Sequence, residues 1–160
     1  MATQRSAHLP ALGEHQRAEI GLELQATLAE LLDLSLLGKQ LHWSVVGPLF
    51  RPLHLYLDEL IDSWREAADA VAERSVALDA WPDGQAAAIA AASGLAGLDR
   101  GPILDVDVIR ELVRRLAEVA ERVRGRIDHL AELDSVSEGI LVGIVRTLEE
   151  QMWMVRAQSA

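Results

Sequence analysis

The chain has 160 residues, half of them apolar, which suits one domain with a sizeable core and excludes a disordered chain. A formal charge of −10, with Lys39 the single lysine, disfavours phosphate backbones, whose binding rests on cationic contacts, and favours cations. The lack of cysteine excludes disulfides, thiolate nucleophiles and Cys-held clusters, and no run of about 18 apolar residues is present to span a membrane.

The N-terminal stretch MATQRSAHLPALGEHQ has no apolar signal segment, so a cytoplasmic location is expected. Pro10 and Gly13 act as breakers, so residues 1–13 are expected to be flexible and 14–158 to form one all-α domain. A first helix is predicted from Glu14 to Val45, with Ile20, Leu24, Leu28, Leu31 and Leu32 at helical spacing. From Leu31 to Leu37 apolar residues occur almost all round, which predicts burial on more than one side and room for a neighbouring subunit. Gly47-Pro48 ends this helix. A second helix is predicted from Leu49 or Phe50 to Leu78, with Leu53, Leu57, Leu60, Ile61, Ala68 and Ala72 inward. The alanine-rich Gln85–Ser93 reads as a short helix, followed by a loop from Gly94 to Pro102. So long a connection allows a crossover of the ferritin-like kind.

A third long helix is predicted from Val106 or Val108 to Leu133, capped by Asp105 or Asp107. Its stripe is Ile109, Leu112, Val113, Leu116, Val119, Ala120, Val123 and Ile127. Arg114, Arg115, Arg122, Arg124 and Arg126, interleaved with Glu118 and Glu121, read as a solvated face with i,i+4 ion pairs. Ser137 is the expected cap of a last helix that turns Leu141, Ile144, Val145, Leu148 and Met152 inward. The expected architecture is a four-helix bundle with a short extra helix in the crossover.

The residues that carry chemistry lie between Lys39 and Arg74. Taking His54 as zero, Asp58 falls at roughly 40° around the second helix, Asp69 at roughly 60° and Glu73 at roughly 100°. All four share a face, but Asp58 and Asp69 are about 16 Å apart along the axis. Metal–ligand bonds are near 2 Å, so one small cation cannot reach both pairs within a chain. A second copy packed antiparallel across a two-fold axis near Ser63 and Trp64 would bring the first pair of one chain to the second pair of the other. A carboxylate face alone reads as solvated surface. Together with His42 and His54, however, the three acids make an N/O donor set suited to iron or zinc.

The pattern HW-x3-G-x2-F-x3-H-x3-D, followed ten residues later by D-x3-E-R, resembles the Dps family, the miniferritins, and the likeness runs from about residue 17 to 157. The resemblance implies a hollow homo-dodecamer with ferroxidase centres at its two-fold interfaces. One subunit would supply His42, His54 and Asp58, and the other Asp69 and Glu73. It also implies oxidation of Fe(II), with hydrogen peroxide as the preferred oxidant, and storage of Fe(III) as protection against oxidative stress. Histidines suit Fe(II), and carboxylates accept the harder Fe(III). Trp43 is either a site-adjacent aromatic that intercepts radicals or a packing residue. Asp62, also on the ligand face, could support the ligands.

Acids near the start of the last helix line pores in the family. Asp134 matches that region, but Gly139 stands where a second acid is usual, with Glu138 beside it. Asp134 alternatively supports the helix start, where negative charge is favoured. The sequence has no Glu-x-x-His pair, P-loop, dinucleotide fingerprint or G-x-S-x-G element. The alternative function is nucleoid binding with secondary iron chemistry. Against it, the tails offer only Arg5, His8, His15 and Arg17 beside Glu14, and a C-terminal RAQSA. DNA binding is therefore expected to be weak or absent.

Overall fold

A computed structural model describes residues 10–159, except the side chain of Ser159. The expected flexibility of 1–13 therefore falls mostly outside the described residues. Four long helices form the bundle: α1 (Glu14–Ser44), α2 (Phe50–Ala77), α4 (Asp105–Ala131) and α5 (Ser135–Arg156). The crossover carries the short α3 (Ala86–Ala92), and a 3-10 turn, Ala157–Ser159, closes the described chain. α1 packs chiefly on α2, and α4 on α5.

The predicted apolar stripes meet in one core. Leu24, Leu31, Leu57, Ile61, Leu116, Val119 and Leu141 are among its fully buried residues. Trp64 points into this core and is 1% exposed. Its indole N–H donates to Gln151 Oε1 at 2.8 Å, which satisfies the polar atom that burial would otherwise strand. Gly38 makes room for it. A Cβ there would lie 2.7 Å from the Trp64 ring and 2.9 Å from Ile61, so the glycine lets α1 and α2 close at this level. The second apolar side expected of the Leu31–Leu37 stretch is open to solvent within the chain: Leu36 is 59% exposed.

Several boundaries and faces differ from the sequence expectation. α1 stops at Ser44, because Val45 and Val46 form strand β1, which pairs in parallel with β2, Ile103–Leu104. This small ladder pins the end of the crossover to the α1–α2 turn. Asp105 is the first residue of α4 and does not cap it in the ordinary sense. One carboxylate oxygen accepts from its neighbour Val106 N at 2.8 Å, and the other accepts from Leu49 N at 2.6 Å across the turn. Gly47, at φ +122, sits against that carboxylate, and a Cβ on it would meet Oδ2 at 2.6 Å.

The α5 cap is Asp134, not Ser137, since its carboxylate accepts from Val136 N and Ser137 N. The α4 arginines are not a uniformly solvated face. Arg114 does pair along its own helix with Glu111 and Glu118, at 2.7 and 2.5 Å. Arg115, however, is 1% exposed and donates to the Ala96 carbonyl at 2.6 Å, holding the crossover loop. Arg122 and Arg126 both reach the buried Glu30 of α1, Arg126 at 2.8 Å. An acid buried on α1 draws them inward, because a buried carboxylate without a cation is costly.

Candidate metal centre

The C-terminal end of α1 and the N-terminal end of α2 lie side by side, and the short connection between them fixes how His42 meets His54. The two rings stack at a centroid distance of 3.7 Å with 21° between their planes. Each Nδ1 bonds to the other residue's backbone carbonyl: His42 Nδ1 to His54 O at 2.8 Å, and His54 Nδ1 to His42 O at 3.0 Å. A carbonyl only accepts, so the proton of each neutral ring is assigned to Nδ1, which leaves Nε2 with its lone pair. Both imidazoles are thus set in the tautomer and orientation of a metal ligand whose second nitrogen is held by the backbone. Phe50, the F of the sequence pattern, flanks the pair with its ring 5.0 Å from that of His54.

Asp58 joins this group on the Nδ1 side. Its Oδ1 stands 3.4 Å from His42 Nδ1. The same oxygen accepts a very short bond from the Lys39 ammonium, a residue that the sequence reading passed over. The hydrogen bond from Lys39 holds the Asp58 carboxyl below its usual range. Two signals for this contact were present in the sequence. Lys39 is the only lysine, and it lies three residues before His42, which places it on the same face of α1.

Asp69 and Glu73 lie elsewhere. Both are exposed on α2, with no hydrogen-bond or ion-pair partner among the described residues. The structure therefore brings together His42, His54 and Asp58 and leaves the other two acids apart. Among the described residues, no three His or acidic side chains of one chain form a cation cage. The donor types nonetheless fit iron: two free imidazole nitrogens and a carboxylate in one group, with two unengaged carboxylates on the same helix face. Trp43 is 71% exposed beside this group, and Asp62 is exposed without a partner.

At the other end of the bundle, Asp134 is engaged. Besides capping α5, it receives Arg74 Nη2 at 2.7 Å and Ser137 Oγ at 2.5 Å. Burial works to raise its pKa, but the bonds from Ser137 and Arg74 outweigh it and hold the carboxyl below the ordinary range. Glu138, in the first turn of α5, has no such partner.

The ferritin-like domain model matches residues 22–160. The chain is 33% identical over 153 residues to DNA protection during starvation protein 2 of Deinococcus radiodurans, covering 96% of this chain and 64% of that protein, just under two thirds of its length. It is 34% identical over 157 residues to the DNA protection during starvation protein of Mycolicibacterium smegmatis, covering 93% of this chain and 81% of that protein. Among solved structures, Mycobacterium smegmatis Dps superposes with a TM-score of 0.91 at 31% identity, covering 96% of this chain and 88% of that one. DpsA14 from Streptomyces coelicolor gives 0.90 at 30% identity, covering 94% and 90%. By sequence and by fold, the chain belongs to the ferritin-like family and, within it, to the Dps proteins.

Proposed function

We propose that this chain is an iron-oxidising and iron-storing miniferritin of the cytoplasm. In this reading it assembles as a hollow homo-dodecamer, oxidises Fe(II) at two-fold interfaces and holds the Fe(III) product inside. The observation that carries the reading is the locked His42–His54 pair, with both Nε2 atoms free and an acid beside them. His42, His54 and Asp58 of one chain bind the Fe(II) substrate, and Asp69 and Glu73 of the second copy complete its charge balance. Asp58 must leave Lys39 and swing past the His42 ring to join them, so an arriving cation competes with the ammonium for this carboxylate.

A pair of Fe(II) ions each gives one electron to a peroxide, whose O–O bond breaks. The ferric product hydrolyses to oxyhydroxide and releases protons to solvent. The protein's part is to concentrate the cations at an acidic surface and to hold them in an N/O set that tolerates both oxidation states. Trp43, next to His42 in the chain and 71% exposed, is an oxidisable ring available to intercept an escaping radical.

The experiment is an anaerobic Fe(II) titration followed by peroxide, read by absorbance of the ferric product and by particle size. Rapid oxidation with iron retained in the particle supports the reading. Oxidation no faster than in protein-free buffer overturns it.

The relatives' names point to DNA protection, which leaves direct DNA binding as the second reading. The charge of −10 opposes it. No gel shift of duplex DNA is expected at neutral pH and about 0.15 M salt. A robust shift that weakens steeply with added salt would reverse that judgement.

A further inference from the structure

Residues on the exposed face of α2 are paired about one point. The midpoint of His54 and Glu73 falls between Ser63 and Trp64, and so does the midpoint of Asp58 and Asp69. Asp62 and Arg65 straddle the same point. Measured from His54, Arg65 lies at roughly 20° around the helix and Asp62 at roughly 80°, within the arc that holds the four ligand candidates. Both are exposed, and neither has a hydrogen-bond or ion-pair partner among the described residues. The spacing alone would allow them to pair with each other. Asp107 and Arg110, also three apart, do so on α4 at 2.6 Å.

A two-fold axis at this midpoint lays α2 antiparallel on its copy and sets each residue against its counterpart. Asp62 then faces the second copy's Arg65, and Arg65 the second copy's Asp62. Packed helices lie about 8–10 Å apart, a gap that an arginine and an aspartate can bridge. Arg65 also borders a surface groove with Leu32, Leu36 and Ile89, whose apolar walls would shield the pair from water once covered.

We propose that Asp62 and Arg65 form two symmetric ion pairs with a second copy of this chain. These pairs fix the register that places His54 and Asp58 opposite Glu73 and Asp69. The inference rests on the two-fold site proposed above and adds the contact that selects its alignment. A slip of one helical turn in one direction sets Asp62 against Asp69 and Asp58 against Glu73, carboxylate on carboxylate. A slip in the other direction sets Asp58 against Arg65 and His54 against Asp69, but it leaves Glu73 facing Phe50 and Asp62 facing Ile61, so the full ligand set does not form. Charge opposition rejects the first slip, and loss of the Asp62 pair and of the Glu73 ligand position disfavours the second.

Charge-swapped full-length chains test this without iron. Asp62→Arg places four positive charges around the axis, and Arg65→Asp places four negative ones. Native mass spectrometry should show each variant alone losing the two-fold contact at a concentration where wild type keeps it. An equimolar mixture should recover the wild-type assembly, with mixed pairs well above the roughly one-half of random assortment. Recovery by the mixture shows that the single variants fold, and the double swap within one chain should also recover the assembly. If both single variants assemble like wild type and mix at random, the ion pairs do not exist, and the two-fold iron site stands unaffected. A wild-type chain that never pairs removes both.

Discussion

The two ends of α2 carry similar residues under opposite constraints. At the N-terminal end the candidate ligands already have partners within the chain. His54 is bonded to His42, Asp58 to Lys39, and the turn to Asp105. At the C-terminal end Asp69 and Glu73 have no hydrogen-bond or ion-pair partner among the described residues, although Arg74, the next residue along, is locked to Asp134 and Ser137. Imidazoles must be held in one tautomer and orientation to serve as ligands, so their half is built in advance. Carboxylates contribute charge and accept from many directions, so their half can wait for a partner. On the proposed function, such a helix supplies one prepared end and one bare end to a site that a copy of itself completes.

The contrast breaks most sharply at the prepared end. His54→Ala or Asp58→Ala should lower the rate of iron oxidation by about tenfold or more, with sedimentation showing unchanged assembly. Loss of the oligomer in either variant would assign these residues to structure. Next comes complementation. Chains carrying His54→Ala and chains carrying Glu73→Ala, unfolded and refolded together, should regain roughly a quarter of the intact sites, because each mixed pair holds one undamaged site. A mixture of well-assembled particles that stays at the parental rates would mean that each site lies within one chain.

The bare end is sharpened by comparing neighbours. Asp134→Ala removes a helix cap and takes the carboxylate from the half-buried Arg74, and should cost about 2 kcal/mol in denaturant unfolding at pH 7. Glu73→Ala in the same assay should cost under about 0.5 kcal/mol. The folded pKa of Asp134 is depressed, so its contribution is fully present above the unfolded value of about 3.9 and is lost as pH falls through the folded one. The gap between wild type and Asp134→Ala should therefore narrow in acid, and a gap that widens there contradicts the assignment. The smallest effect is expected from Lys39→Met, which frees Asp58 from its ammonium. The Fe(II) concentration for half-maximal rate should fall severalfold, and a rise would mean that Lys39 assists binding.

The sequence showed the bundle because helical periodicity and Gly47-Pro48 are local signals, and it put His54, Asp58, Asp69 and Glu73 on one face of α2 because angular position depends only on spacing. What escaped it depends on partners distant in sequence. Glu30 looks like an ordinary surface acid until α4 brings Arg122 and Arg126 to it. Arg115 looks like its solvated neighbours until the crossover loop lays its carbonyls over it. Two-residue strands such as β1 and β2 have no periodicity to detect, and the Asp105 contact joins the far end of the crossover to the α1–α2 turn, 56 residues earlier in the chain. The indole partner of Trp64, Gln151 on α5, and the space that Gly38 gives its ring likewise come from elements far apart in sequence. Lys39 was missed for a simpler reason: attention to ligand types passes over the cation that competes with the metal.

The hydrogen bond from Leu49 N to Asp105, for which Gly47 leaves room, bears on the order of folding. α1 and α2 are joined by a tight turn and can meet early, so the two histidines can approach while the rest of the chain is still unfolded. Their turn is tied down only when the crossover has returned, paired β2 with β1 and delivered the Asp105 carboxylate to Leu49 N. A chain stalled before that return would be helical yet hold its imidazoles loosely. Competence to oxidise Fe(II) would then lag behind the gain of helix in a refolding experiment, and the centre would report the last topological step of the chain.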